Sequence, residues 1–219
     1  MPEPITVVMV GAGGGSLLLE IARRQFQVFK SIFDVVAGGA LLVAFAPVML
    51  ACAAMIKLSD WQGPVLYRQV RVGRNGRLFT IYKLRTMYVD AEAHGKAVRA
   101  GQDDPRVIPM CRWMRRSHVD ELPQLINIIR GDMSLVGPRP ERPELFEDLS
   151  RAMPDFERRL AVKPGLTGIA QIYNGYDTDT ESIRRKLRYD LQYIEGMSLG
   201  MDTKLLLSTI AKFYDRGAR

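Results

Sequence analysis

The residues with the clearest chemical potential lie in "RRSHVDELPQLINIIRGDMSLVGPRPERPE", residues 115–144. Asp120 and Glu121 are adjacent carboxylates. Arg115 and Arg116 precede them, and Arg139 follows between Pro138 and Pro140. Two neighbouring carboxylates near a helix start can hold Mg²⁺ through oxygen. Alternatively, one of them can attack phosphorus as an oxygen nucleophile. A helix N-terminus there also favours bound anions. An arginine pinned between two prolines loses little entropy on meeting a phosphate, and its planar fork matches phosphate oxygens. Acid pair, divalent metal and arginines together suit phosphoryl transfer, in which catalysis is mostly positioning and charge neutralisation. Taken alone, the same Asp-Glu spacing also suits a solvated helix cap.

The elements that must position these groups follow from local signals. Ser117, with Asp120 three residues on, is expected to cap a helix with Pro123 in its first turn, and Gly131 stops it. A short helix is predicted over Met110–Arg116. Upstream, "GPVLYRQVRVGRNGRLFTIYKLRTM" reads as two strands around Asn75-Gly76, rich in arginine. Residues 90–109 read as loop. Downstream, "GPRPERPE" is a rigid loop, followed by short helices near 142–152 and 155–160. "VKPGLTGIAQIYNGYD" reads as loop and short extended structure. A longer amphipathic helix is predicted over 180–195, with Ile183, Leu187, Leu191 and Ile194 on one face, and it reads as scaffold. Met201–Tyr214 is a last amphipathic helix, suited to the core or to a membrane surface.

Phe33–Leu58 is of a different kind. No charge occurs from residue 35 to residue 56, a run long enough to cross a bilayer as a helix. Pro47 lies near its middle. Arg23, Arg24 and Lys30 flank it on one side, and Lys57, Arg68, Arg71, Arg74 and Arg77 on the other. Basic flanks mark the cytoplasmic side, so both ends favour the same side. A helix broken at Pro47 that enters and returns meets that demand. A kinked spanning helix and a buried soluble helix are the competing readings. Residues 1–29 are expected to be a lead-in without fixed order. Their glycine run (Gly11, Gly13, Gly14, Gly15) lacks the strand–helix–strand context of a nucleotide site. A cleaved signal peptide is disfavoured, because the positive charges follow the glycines.

Composition bounds the rest. At 219 residues the chain fits one domain plus an attachment. Charged residues are 25% and apolar residues 47%, which excludes both a disordered chain and a multi-span transporter. A net charge of +7 points to anionic lipid or phosphorylated substrate ahead of nucleic acid, for which no helix-turn-helix or aromatic RNA-binding signature is found. The two cysteines, Cys52 and Cys111, form neither a metal spacing nor a disulfide framework. His118 and His94 read as surface or packing residues. Trp61, Trp113 and Tyr67 suit a membrane interface or the core, and the basic hairpin Arg68–Arg77 suits anionic headgroups.

Four motifs then appear in order: "KLRTM" (Lys83–Met87), "DELPQL" (Asp120–Leu125), "GDMSLVGPRP" (Gly131–Pro140) and "KPGLTGIAQ" (Lys163–Gln171). Together, and with the tail from Arg184 onward, they closely resemble the bacterial sugar transferase family, the monotopic phosphoglycosyl transferases, in its minimal catalytic form. The match covers about Lys30 to the C-terminus. The resemblance implies transfer of a sugar 1-phosphate from a UDP-sugar to polyprenyl (undecaprenyl) phosphate, with release of UMP. This would be the initiating step of exopolysaccharide or related glycan assembly. Asp120 would be the nucleophile of a covalent phosphosugar intermediate, with Glu121 in support. The pair would hold Mg²⁺, with Mn²⁺ as the alternative. Arg139 and Arg115 would contact substrate phosphate or uridine, and Lys83 and Arg85 a phosphate or lipid headgroup.

The implied fold is α+β. It comprises the lead-in (1–29), a re-entrant membrane helix broken at Pro47 (30–58) and a cytosolic catalytic domain (59–219) with short strands and interfacial helices. The implied location is the cytoplasmic face of the bacterial inner membrane, with the bilayer as partner, no nucleic acid, and room for a homodimer. Two departures stand out. The family often has Ser-Pro at the helix break, where this chain has Ala46-Pro47. Many members also carry an arginine after Asn-Gly, where this chain has Tyr176. A scaffold that retains the fold without catalysis is the competing reading, and the intact Asp-Glu pair argues against it.

Overall fold

A computed structural model describes residues 15–89, 91, 104–174 and 179–217, so His94 and Tyr176 lie outside the described residues, as do residues 1–14 of the lead-in. The first element, α1 (Gly15–Ser59), begins well before the expected start at residue 30, and it runs through Pro47 without ending there. Its span from Gln25 to Ser59 is long and apolar enough to cross a membrane, and only 11% of its most apolar window is buried. That figure separates α1 from the core helix of a soluble protein, which packs most of its surface. The buried positions Asp34, Gly38, Cys52 and Ile56 are separated by 4, 14 and 4 residues, close to whole helical turns, and form one stripe. Ile32, Val36, Val43 and Leu50 stand 61–76% exposed around the rest.

Two strands, β1 (Leu66–Val72) and β2 (Leu78–Leu84), form the expected antiparallel hairpin, with Leu66 opposite Leu84 and Val72 opposite Leu78. Asn75 and Gly76 turn the chain at positive φ, 56° and 76°, the backbone that these two residue types tolerate best. Short helices α2 (Arg112–Arg116) and α3 (Gln124–Ile129) come next, and Gly131 at φ 82° ends the second. The strand β3 (Ser134–Val136) pairs in parallel with β4 (Gly165–Thr167). Beside that pairing the two backbones nearly touch. A Cβ on Gly165 would lie 2.0 Å from the Gly137 nitrogen, so neither residue has room for a side chain.

Between the two strands lie α4 (Pro143–Ala152) and a 3-10 segment at Pro154–Ala161. After β4 come α5 (Ile169–Tyr173), α6 (Thr180–Gly196) and α7 (Leu199–Gly217). The start of α6 is set by a capping box: Asp179 accepts from the Ser182 amide at 2.7 Å, and the Ser182 hydroxyl meets the Asp179 amide at 3.1 Å. The main core gathers Leu125 and Ile128 of α3, Leu135 and Val136 of β3, Ile81 of β2 and Tyr193 of α6. A second core joins Cys52 and Ile56 of α1 to Leu84, Ile108, Cys111 and Met114. The other end of the uncharged run of α1 is also fixed: Asp34 accepts from the Leu135 amide at 3.1 Å, and Lys30 donates to Asp202 at 2.6 Å. Both ends of the apolar helix therefore rest on the same polar domain.

Candidate active site

Asp120 and Glu121 occupy one 3-10 turn, Val119–Glu121, between α2 and α3. His118 makes the turn possible. Its backbone is left-handed (φ 54°, ψ 17°), which costs a non-glycine residue about 1–2 kcal/mol and redirects the chain. The cap expected from Ser117 is not formed. Its hydroxyl donates back to the Trp113 and Met114 carbonyls at 2.8 and 3.2 Å, closing α2, and Pro123 occupies the cap position of α3. The carboxylates therefore turn inward instead of capping toward solvent: Asp120 is 8% exposed and Glu121 7%.

The two acids have different roles in the geometry. Glu121 is locked: Arg139 donates to its Oε2 and Oε1 at 3.0 and 2.6 Å, and Lys83 donates to Oε1 at 2.8 Å. Burial alone would raise its pKa, but the Arg139 and Lys83 charges outweigh burial and hold Glu121 well below the usual carboxylate range. The Glu121 charge in turn raises Arg139, while burial pushes Lys83 below its usual value. Asp120, by contrast, has Oδ1 buried with no hydrogen-bond partner among the described residues. Burial and then the adjacent Glu121 charge push its pKa up to about 6, against the pull of Lys83, Arg115 and Arg139. Its Oδ1 is thus desolvated and not committed to a hydrogen bond. Gln124, one turn further on and 1% exposed, carries a second orphan atom, Nε2. Buried polar atoms without partners are rare, so each of these two atoms is a candidate for contact with a polar ligand.

Arg139 is aimed by its backbone. Arg159 donates to the Arg139 carbonyl at 2.8 Å, and Arg71 to the Pro140 carbonyl at 3.0 Å. Arg159 is itself fixed by Asp190 of α6, which accepts from its Nε at 2.7 Å. Lys186 donates to Glu141 at 2.5 Å, and with Arg159 it overcomes burial to hold Glu141 at about 2. This buried scaffold of Arg159, Asp190, Lys186 and Glu141 has no local sequence signal, because its partners lie 31 and 45 positions apart.

Of the sequence-derived residues, Glu121, Arg139 and Lys83 meet directly, and Lys83, Arg115 and Arg139 are near enough for their charges to act on Asp120. Arg85 is placed elsewhere. It is 4% exposed and donates to Asp60 Oδ2 (2.6 Å), Pro64 O (2.5 Å) and Met87 O (3.2 Å), tying the end of α1 to β2. Around the acid pair, three cations (Lys83, Arg115, Arg139) face two carboxylates, a surplus that suits an anionic substrate. A divalent cation fits this donor set on one condition. Asp120 Oδ1 is open, and Glu121 Oε2 retains a lone pair beside Arg139. Among the described residues no group of three His, Cys, Asp or Glu can hold a metal ion. Mg²⁺ typically takes one or two carboxylates plus waters and substrate phosphates, so the pair suits it once a diphosphate is present.

A family model described as bacterial sugar transferase matches residues 25–216. A UDP-N-acetylgalactosamine-undecaprenyl-phosphate N-acetylgalactosaminephosphotransferase of Aeromonas hydrophila is 40% identical over 185 residues, covering 84% of this chain and 43% of that protein. A UDP-glucose:undecaprenyl-phosphate glucose-1-phosphate transferase of Caulobacter vibrioides is 39% identical over 209 residues, covering 94% of this chain and 76% of that protein. An exopolysaccharide production protein of Rhizobium leguminosarum bv. phaseoli is 35% identical over 198 residues, covering 87% of this chain and 97% of that protein. The chain thus spans less than half of the Aeromonas relative and nearly all of the Rhizobium one.

Proposed function

Because the chain belongs to the bacterial sugar transferase family, we propose that it transfers a sugar 1-phosphate from a UDP-sugar to polyprenyl (undecaprenyl) phosphate and releases UMP. The observation that carries this reading is the unequal acid pair. Glu121 is held by Arg139 and Lys83, while the Asp120 Oδ1 beside it is buried and unpartnered.

Asp120 attacks the phosphorus that bears the sugar. A carboxylate oxygen–phosphorus bond forms, the bond to the bridging oxygen breaks, and UMP leaves with that electron pair. An oxygen of polyprenyl phosphate then attacks the same phosphorus, and the Asp120 carboxylate departs ionised. Arg139 and Arg115 stabilise charge on the phosphate oxygens. Lys83 holds Glu121 so that Arg139 keeps one orientation. Gln124 donates from its open Nε2 to a substrate oxygen. Mg²⁺ or Mn²⁺ would be held by Asp120 with Glu121 beside it, and it supplies charge neutralisation on the diphosphate.

The acceptor's phosphate lies at the bilayer surface, so the site must lie there too. Support for that placement comes from α1: its outer face is apolar, yet Asp34 and Ile56 at opposite ends of its uncharged run both pack on the rest of the chain. That packing supports placing both ends on one side of the membrane, and the basic flanks favour the cytoplasmic face of the inner membrane for that side. A helix that enters and returns at Pro47 is the reading this favours.

The test is UMP release from a panel of UDP-sugars, with detergent-solubilised protein, undecaprenyl phosphate and Mg²⁺. One sugar turning over, with chelator and Asp120→Asn both abolishing release, supports the reading. No turnover of any UDP-sugar by folded protein refutes it.

A further inference from the structure

A second cationic cavity lies outside the acid pair. It is enclosed by Gln27, Lys30 and Ser31 of α1, Arg74 of the hairpin turn, and Lys163 and Val162 ahead of β4. Its cations differ in how far they are neutralised. Lys30 is committed to carboxylates, 2.6 Å from Asp202 and 3.8 Å from Asp34. Among the described residues Arg74 meets only an uncharged partner, donating from Nη2 to Gln27 Oε1 at 3.1 Å, and its Nε is buried with no partner. Lys163 likewise meets only the Ser31 hydroxyl, at 3.4 Å. Asp34 also lines the cavity, but it sits with Lys30, so among the described residues the half-buried Arg74 and Lys163 share the cavity without a carboxylate in ion-pair contact.

The surroundings say what kind of anion fits. The cavity's α1 residues, Gln27, Lys30, Ser31 and Asp34, lie on the face packed against the domain, and the uncharged run of the helix starts beside them at residue 35. The opposite face, with Val28, Phe29, Ile32 and Phe33 at 41–61% exposed, is apolar and open, so an anion held here sits at the edge of a surface that a lipid chain can also use. The cavity also adjoins the pocket of Arg139. Gly73 and Val162 line that pocket, next to Arg74 and Lys163 in the chain.

We propose that Arg74 and Lys163, with Ser31 and Gln27, form a binding site for a lipid phosphate at the membrane edge of α1. The phosphate bridges the two cations, and the lipid chain lies along the apolar face of α1. Two lipids offer this chemistry, the polyprenyl phosphate acceptor and a bilayer phospholipid. The acceptor arm rests on the proposed reaction; the phospholipid arm does not.

The experiment compares wild type with Arg74→Gln, Lys163→Gln and the double variant, alongside Arg74→Lys and Lys163→Arg, in detergent. Three quantities are read: KM for undecaprenyl phosphate, the UDP-sugar dependence of a single-turnover UMP burst without acceptor, and bound phosphatidylglycerol counted by native mass spectrometry. If the acceptor occupies the site, the double variant raises the undecaprenyl phosphate KM at least tenfold, leaves the burst unchanged, and the charge-conserving variants recover most of the loss. If a phospholipid occupies it, bound phosphatidylglycerol falls at least tenfold while the acceptor KM stays put. Lys163 Nζ also passes near Gly131 at the end of α3, so a purely structural role is the rival account. A double variant that lowers only the melting temperature, or that changes neither lipid readout, overturns the proposal. An absent burst in wild type would sink the proposed reaction, and the phosphatidylglycerol count would then test this site independently.

Discussion

Replacing Arg159 with Met tests whether the buried scaffold behind Arg139 controls the site. The guanidinium is 4% exposed, donates to Asp190 at 2.7 Å and to the Arg139 carbonyl at 2.8 Å, and stacks 4.6 Å from the Phe156 ring centroid. Met fills similar volume without charge. Removing one partner of a buried ion pair strands the other, at a cost of about 3–5 kcal/mol. For a chain of this size each kcal/mol shifts the melting temperature by about 2–4 °C, so a fall of roughly 6–20 °C is expected. The Arg139 carbonyl also loses its donor, worth about 0.5–1.5 kcal/mol, and the loop is freer to turn. The KM for UDP-sugar should therefore rise by roughly 3- to 10-fold. Adding Asp190→Leu removes the stranded charge and leaves Lys186 paired with Glu141. The double variant should regain most of the melting temperature but keep the raised KM. Thermal unfolding in detergent and initial rates across UDP-sugar concentration measure both. Arg159→Met with a melting temperature and KM equal to wild type would refute the idea that this scaffold aims Arg139.

Other outcomes follow from the same geometry. Asp120 is held at about 6, and it must be ionised to attack, so the single-turnover UMP burst should fall as pH drops through about 6 at low Mg²⁺. Bound cation favours the ionised carboxylate and should move that limb to lower pH. Lys83→Met removes one of the charges that hold Glu121, and loss of a charged hydrogen bond of about 1.5–3 kcal/mol should lower kcat/KM by roughly 10- to 100-fold. Gln124→Leu leaves no polar atom at the open Nε2 position and should lower kcat/KM in steady-state assays while the protein keeps its melting temperature. Gly165→Ala places a methyl against the Gly137 backbone, and soluble folded protein should be lost in expression tests.

Much of this architecture was legible where local chemistry dictates local structure. Asn75-Gly76 specify a turn because their backbones accept positive φ, and Gly131 ends α3 for the same reason. The α6 helix was legible from its apolar spacing. Asp120, Glu121 and Arg139 were readable as candidates for phosphoryl transfer, but their spacing alone also suited a solvated cap, and it was the four ordered motifs resembling the bacterial sugar transferase family that singled them out. What was not legible depends on distant partners. "KLRTM" offers Lys83 and Arg85 as equals, yet only Lys83 reaches Glu121, while Arg85 turns to Asp60 at the end of α1. Nothing local announces that Arg159 will meet Asp190, or that Ser117 will close α2 instead of opening α3. The early start of α1 was likewise hidden, because the glycine-rich lead-in weakens the helical signal.

The most direct test of the central claim is intact-protein mass spectrometry after incubation with the accepted UDP-sugar and Mg²⁺ in the absence of polyprenyl phosphate. The account predicts a mass increase equal to one phosphosugar, mapped by peptide sequencing to Asp120, lost when acceptor is added and absent in Asp120→Asn. UMP released at the wild-type rate by Asp120→Asn, or UMP formed only when acceptor is present with no adduct at any time, would contradict it.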